Sequence, residues 1–251
     1  MPFMKASRSK LIRVLPELQG LLFDIDGTLY RQTALRLKMG GALLQYSLLH
    51  PVQAMRIVAI LQGYQKAQER MRFISNYDCN IAEYQLRVAA QVAKAPYRQV
   101  VDTVRLWFQT IPLRYLRSVV RPGLTELLEK AKARRLKIAA VSDYPCRDKL
   151  EILGISEYFD AVVCAQDPQV QRLKPHPRGI FQALTEIGVP ADSAVYVGDR
   201  PEVDAVAARA AGVRAVILSP RRSTGEWVTI HGFDELLTMI EGVPIPEGQS
   251  I

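Results

Sequence analysis

The chain is poor in the residues that hold small secreted or zinc-bound folds together. Its 251 residues include three cysteines, Cys79, Cys146 and Cys164. An odd number at wide spacing makes neither a disulfide framework nor a metal-type pair. Reduced thiols in a cytoplasmic protein fit this pattern, and Cys164, within the apolar run 161–165, reads as a small core residue. Long apolar runs are missing as well. Region 40–60 is interrupted by Gln45, His50, Pro51, Gln53 and Arg56, whereas a membrane-spanning helix needs about 20 mostly apolar residues. The basic opening MPFMKASRSKLIRVLPELQG has no apolar stretch running into a small-residue cleavage site, so no secretory leader is expected. Internal repeats and low-complexity segments are absent. With 49% hydrophobic and 23% charged residues, the composition excludes a disordered chain.

Acidic residues are the minority charge: the formal net charge is +8. A basic balance attracts anions, among them nucleic acid, anionic lipid and small phosphorylated substrates. Here the basic residues fall in pairs, such as Arg70 with Arg72, Arg134-Arg135 and Arg221-Arg222, rather than one long run. No zinc-finger spacing or RNA-recognition signature accompanies them. Solvated faces account for the excess, and no nucleic-acid partner is expected.

Five short aliphatic runs, 21–24, 138–142, 161–164, 194–197 and 215–218, lack polar alternation. That pattern predicts parallel strands covered on both faces. Helical stretches at 148–153, 177–187 and 201–211 alternate with the last four, as in a doubly wound α/β core. Residues 31–120 differ, with helices expected at 35–49, 52–72, 81–94 and 98–108 and no strand. This exceeds a single crossover helix, and predicts an α-helical cap domain (31–120) inserted into a core made of 1–30 and 121–251. Pro122-Gly123 then opens the helix 124–136 that returns the chain to the sheet. The tail EGVPIPEGQSI reads as loosely ordered.

The densest local signal is LLFDIDGT at 21–28. An apolar strand runs into Asp24, Asp26, Gly27 and Thr28, where open α/β sheets bind their ligands. Extended backbone would point Asp24 and Asp26 the same way, and Gly27 would let the chain turn close to an anion. Taken alone, the segment is also compatible with an ordinary strand-to-turn junction. Three further segments raise its meaning. Ser142 and Asp143 end a strand in VSDYP, where Ser142 could donate to a phosphoryl oxygen or serve as a turn or cap residue. Lys174 lies in LKPHP, as a phosphate ligand or a solvated loop lysine. Asp199 and Asp204 follow the strand AVYV in GDRPEVD, and Asp204 could equally favour a helix start. Carboxylates gathered at adjacent strand ends repel one another unless a hard cation lies between them, and Mg²⁺ suits oxygen donors and substrate phosphate. With Lys174 it would neutralise a phosphoryl group under attack by Asp24, while Asp26 serves the leaving oxygen.

The ordered set DIDGT, VSD, KP and GDRPEVD resembles the four motifs of the haloacid dehalogenase-like (HAD) hydrolase superfamily, over residues 21 to 204. The resemblance implies a Rossmann-like core, nucleophilic Asp24 and acid/base Asp26. It implies phosphate binding by Ser142, Asp143 and Lys174, with Thr28 organising the loop. It also implies Mg²⁺ held by Asp24, Asp26 through its backbone carbonyl, and Asp199, with Asp204 supporting the metal or Lys174. Asp143 stands where many members carry asparagine. A helical insert between the first two motifs is similar to the superfamily's first cap type, and about 24 residues between Lys174 and Asp199 leave no room for the other. His176 reads as a loop residue. Among relatives, dehalogenases lack the second aspartate, so Asp26 points to phosphoryl chemistry on a small phosphorylated substrate. A sugar phosphomutase shares both aspartates and is the alternative enzyme, and a non-catalytic phosphate-binding protein is the alternative class. The apolar, basic segment 42–60 is expected to pack within the cap and against the core; left exposed, it would suit an apolar substrate part or a partner subunit.

Overall fold

A computed structural model describes residues 18–74, 80–220 and 227–242. Cys79, the Arg221-Arg222 pair, the basic opening before residue 18 and the final EGVPIPEGQSI from residue 243 lie outside the described residues.

Six parallel strands form one sheet in the order β3-β2-β1-β4-β5-β6. They are β1 (Gly20–Phe23), β2 (Lys137–Ser142), β3 (Ala161–Cys164), β4 (Ala194–Gly198), β5 (Arg214–Leu218) and β6 (Val228–Ile230). Successive side chains of a strand point to opposite faces, and the core divides accordingly. Leu21 and Phe23 join one apolar layer with Leu124, Leu127 and Leu128 of α5 (Leu124–Ala133) and with Phe233, Leu236 and Ile240 of α9 (Phe233–Glu241). Leu22 joins the opposite layer, with Ile180, Ala183 and Leu184 of α7 (Arg178–Ile187) and Ala207 and Ala208 of α8 (Val206–Ala210). Burial on both faces is why these strands carry unbroken aliphatic runs. The doubly wound parallel sheet expected from the sequence is present. Its sixth strand and α9 were not anticipated, because three residues of β6 show no period.

Between β1 and β2 the chain forms α1 (Gln32–Ser47), α2 (Pro51–Met71), α3 (Ile81–Ala93) and α4 (Tyr97–Val104). A wider-wound turn (Arg105–Thr110) and a tighter one (Ile111–Val119) follow, so the expected helix 98–108 changes pitch after Val104. Only α6 (Arg147–Leu153) separates β2 from β3 as a helix of the ordinary type. The two strands of chain entering and leaving the insert run side by side. Tyr30 bridges Val120 antiparallel, Arg31 N–H donates to Val119 O at 2.9 Å and Arg121 N–H to Leu29 O at 3.0 Å.

Helix α2 buries Ala54, Ile57, Ile60, Tyr64, Ala67 and Met71, one stripe at helical spacing. A side chain at Gly63 would meet Ala89 O at 3.1 Å, so the glycine permits close approach to α3. Tyr64 also stacks on Tyr144, from the loop after β2, at 5.8 Å between ring centroids, tying the insert to the core. The expectation that 42–60 packs away holds for this stripe and fails for α1. That helix buries Leu35 alone, and Leu44, Leu48, Leu49 and Met55 at the α1–α2 tip are exposed.

Candidate active site

Every motif picked out in the sequence comes to the carboxyl edge of the sheet around β1. The cause is strand order: β1 lies between β2 and β4, so the residue after β1 is flanked by the segments that follow its neighbours. Asp24 extends the ladder by donating its N–H to Val197 O at 2.8 Å. The chain then turns through Gly27 at φ 107°, a conformation only glycine adopts freely. A Cβ there would lie 2.1 Å from Asp199 Oδ2, so the glycine is needed for the close approach of the two loops.

Lys174 is the centre of the cluster. Its buried ammonium donates to Asp24 Oδ1 at 2.5 Å, Asp204 Oδ1 at 2.8 Å and the Tyr196 hydroxyl at 3.0 Å. Burial disfavours its charge, but Asp204 and Asp24 outweigh this and hold the lysine well above its ordinary value. Asp24 also accepts from Thr28 Oγ1 at 3.0 Å. Burial pushes its carboxyl well up; Lys174 pulls the other way, and Asp204 and Asp199 add to the rise. Asp204 is fully engaged, since its second oxygen accepts the N–H groups of Asp199 at 3.2 Å and Arg200 at 3.0 Å. Asp199 is not: its Oδ1 is buried with no hydrogen-bond partner, and burial followed by Asp204 lifts its pKa to about 6.

Carboxylate oxygens of Asp24, Asp199 and Asp204 lie within 4.8 Å of one another. Three carboxylates beside one ammonium leave an excess of negative charge in a buried place. A buried acceptor without a donor carries a penalty of about 1–3 kcal/mol. Both facts fit a hard cation bound through oxygen.

Asp26 has a separate set of partners. Its Oδ1 accepts from the Tyr30 hydroxyl and from Lys149 Nζ at 2.5 Å. Burial favours the neutral acid, but Lys149 and Tyr30 outweigh it and leave the carboxyl below its ordinary value. Ser142 is buried, and its hydroxyl oxygen accepts the Tyr144 N–H at 3.2 Å, the turn role weighed from the sequence. Asp143 accepts the Lys174 N–H at 3.0 Å on one oxygen. On the other it accepts from Arg72 Nη1 at 2.7 Å and Gln68 Nε2 at 3.3 Å, both from the end of α2. His176 sits in the loop expected for it, its Nδ1 accepting the Arg178 N–H at 3.2 Å.

Five residues of this site escape a motif reading: Tyr30, Arg72, Arg121, Lys149 and Tyr196. Arg121 donates through Nε and Nη2 to Gly27 O at 3.1 and 2.7 Å, fixing the turn. Tyr196 carried a usable signal, as the one hydroxyl in the buried run AVYV. Tyr30 follows Asp26 by four residues, the reach of one turn. Arg72 and Lys149 come from helices whose docking no local pattern announces. Among the described residues no helix is long and apolar enough to cross a membrane.

Comparison with known proteins agrees with this geometry. The chain is 25% identical over 205 residues to a glyceraldehyde 3-phosphate phosphatase of Methanopyrus kandleri, covering 79% of this chain and 83% of that protein. It is 26% identical over 250 residues to a phosphoglycolate phosphatase of Shigella dysenteriae, covering 93% and 96%. Among solved structures, a 2-haloacid dehalogenase from Pseudomonas syringae superposes with a TM-score of 0.63 at 21% identity, covering 89% of this chain and 98% of that one. A HAD phosphatase from Thermococcus onnurineus gives 0.56 at 20%, covering 90% and 99%; both likenesses are of fold. The family model for haloacid dehalogenase-like hydrolases matches residues 18–212, and the chain belongs to that family.

Proposed function

We propose that the chain is a magnesium-dependent phosphatase that hydrolyses a small phosphate monoester through an aspartyl-phosphate on Asp24. One observation carries the reading: a buried ammonium joins Asp24 to Asp204, beside an Asp199 oxygen that lacks a partner. Asp24, the backbone carbonyl of Asp26, and Asp199 would hold the ion. Asp204, whose oxygens are already taken, is assigned to fixing Lys174 and the loop after β4. When bound, the ion withdraws charge from the phosphoryl oxygens and so reduces their repulsion of an attacking carboxylate.

Asp24 attacks phosphorus, and the bond to the ester oxygen breaks. Lys174 neutralises charge on the phosphoryl group, next to the Ser142 hydroxyl and the Asp143 backbone. Asp26, a carboxylate in the free site, passes to the departing oxygen a proton that the monoanion of the ester brings with it. In the second half Asp26 takes a proton from a water that attacks the same phosphorus, freeing phosphate and restoring Asp24. Lys149 and Tyr30 hold Asp26 as the carboxylate, the form that activates this water. Thr28 steadies Asp24 through its hydroxyl.

In this reading residues 31–120 act as the cap over a core of 1–30 and 121–251, a division supported by the antiparallel Tyr30–Val120 bridge. The phosphoglycolate and glyceraldehyde 3-phosphate phosphatases among the relatives support a small phosphorylated acid or aldehyde as substrate. A panel of such esters, assayed for phosphate release with Mg²⁺, tests the reading. Release that disappears in Asp24→Asn is expected. Isomerisation of a sugar phosphate without net release would place the chain with the mutases instead.

A further inference from the structure

The last turn of α2 is the only part of the helical insert among the described residues that reaches three catalytic loops at once by hydrogen bonds. Arg72 Nη1 donates to Asp143 Oδ2 at 2.7 Å and to the backbone carbonyl of Lys174. Its Nε donates to Glu69 Oε2 at 3.2 Å, and Glu69 Oε1 in turn meets Arg200 Nη1, beside Asp199, at 3.1 Å. Gln68 adds the bond to Asp143. Arg72 and Asp143 have side chains only 5% and 9% exposed, so this is a buried ion pair and not a surface contact.

We propose that Arg72 is a positioning residue of the hydrolase: it supplies the counter-charge that makes Asp143 tolerable beside the phosphoryl site and fixes the backbone of Lys174. The inference rests on the reading of Ser142 and Lys174 as the phosphate-binding pair. Asp143 adjoins both, by sequence to Ser142 and by its hydrogen bond to the Lys174 N–H. Unpaired, its carboxylate would repel the anion that those residues are placed to attract. A buried charge left without its partner is strongly unfavourable, whereas a neutral side chain there asks for no counter-charge. Arg72 reaches Asp143 only when the insert lies against the core, so the insert contributes to phosphate binding without touching substrate. Asn at position 143 would make this arginine dispensable.

The test measures binding of inorganic phosphate by calorimetry, with the full chain and Mg²⁺, alongside kcat and KM for any ester turned over. Arg72→Met should weaken phosphate binding on the order of 100-fold, because the uncompensated Asp143 carboxylate then repels the bound anion. In an Asp143→Asn background the same replacement should cost about threefold or less, because no charge is left unpaired. Arg72→Lys, which keeps the charge, should recover most of the binding lost in Arg72→Met and exposes any simple folding defect of the methionine variant. Equal losses from Arg72→Met in both backgrounds would overturn the proposal, as would unchanged phosphate binding in Arg72→Met. Failure of the functional reading looks different: the wild-type chain would release no phosphate from any ester, or Asp24→Asn would remain active.

Discussion

Replacing Lys174 by methionine keeps the length of the side chain and removes the only ammonium at the centre of the cluster. Its two ionic partners are 2.5 and 2.8 Å away, and all three side chains are at least nine-tenths buried. Each pair contributes a gross attraction of about 6 kcal/mol at an effective dielectric near 20. Deleting the lysine also removes its own desolvation penalty, of several kcal/mol. The net loss expected in metal-free buffer is about 3–5 kcal/mol, the usual cost of breaking a buried pair. Urea unfolding, followed by circular dichroism in EDTA, measures it as a fall in midpoint at constant slope. Added Mg²⁺ should return part of the loss, because a bound cation neutralises the same carboxylates. A variant within about 1 kcal/mol of wild type in EDTA would refute the reasoning, since single surface changes lie in that range.

Tyr196→Phe removes a hydroxyl that accepts from Lys174 and donates to Asp204 at 3.2 Å. It should destabilise the chain by about 1–2 kcal/mol, read from the same titration, and lower kcat/KM by loosening Lys174. Gly27→Ala places a Cβ against Asp199 at a positive φ. Strain of about 1–3 kcal/mol and loss of phosphate release should follow; full activity would show that the two loops are not held in contact. Asp160 gives the pH prediction. Burial raises its pKa, but the Ile138 N–H, Lys132 and Lys137 outweigh this and hold it below its ordinary value. A depressed carboxyl stabilises the fold above its unfolded pKa and loses that contribution as pH falls through the folded one. Wild type should therefore exceed Asp160→Asn in stability at neutral pH, with the gap closing below about pH 4; a gap that widens in acid would contradict the assignment.

Much of the fold was legible because buried parallel strands write themselves as unbroken aliphatic runs. Strands β1 to β5 were placed to within one residue at either end. Strand β6 was not, since three residues carry no period, and α9 followed it unnoticed although Phe233, Leu236 and Ile240 share one face. Helix α1 shows the opposite limit. Its apolar residues suggest packing, yet Leu37 and Leu44 face solvent. Hydrophobicity alone does not say which side of a helix finds a neighbour. In the site, strand ends draw attention to Asp24, Ser142 and Asp199, and the loop motif LKPHP to Lys174. What sequence could not supply was pairing across the fold, since Arg72 and Asp143 stand 71 residues apart and Lys149 and Asp26 123 apart. Asp204 shows how this matters. By position it suits a metal ligand, a support for Lys174 or a helix start; only the fold shows that its four hydrogen bonds come from Lys174, Tyr196 and the N–H groups of Asp199 and Arg200.

The most direct measurement is to trap the covalent species. The chain, with Mg²⁺ and a turned-over ester, is quenched in acid within one turnover, digested, and its peptides are read by mass spectrometry. A phosphoryl group on Asp24, absent from Asp24→Asn, is the predicted result. A phosphoryl group on another residue, or undiminished turnover by Asp24→Asn, would contradict the central claim.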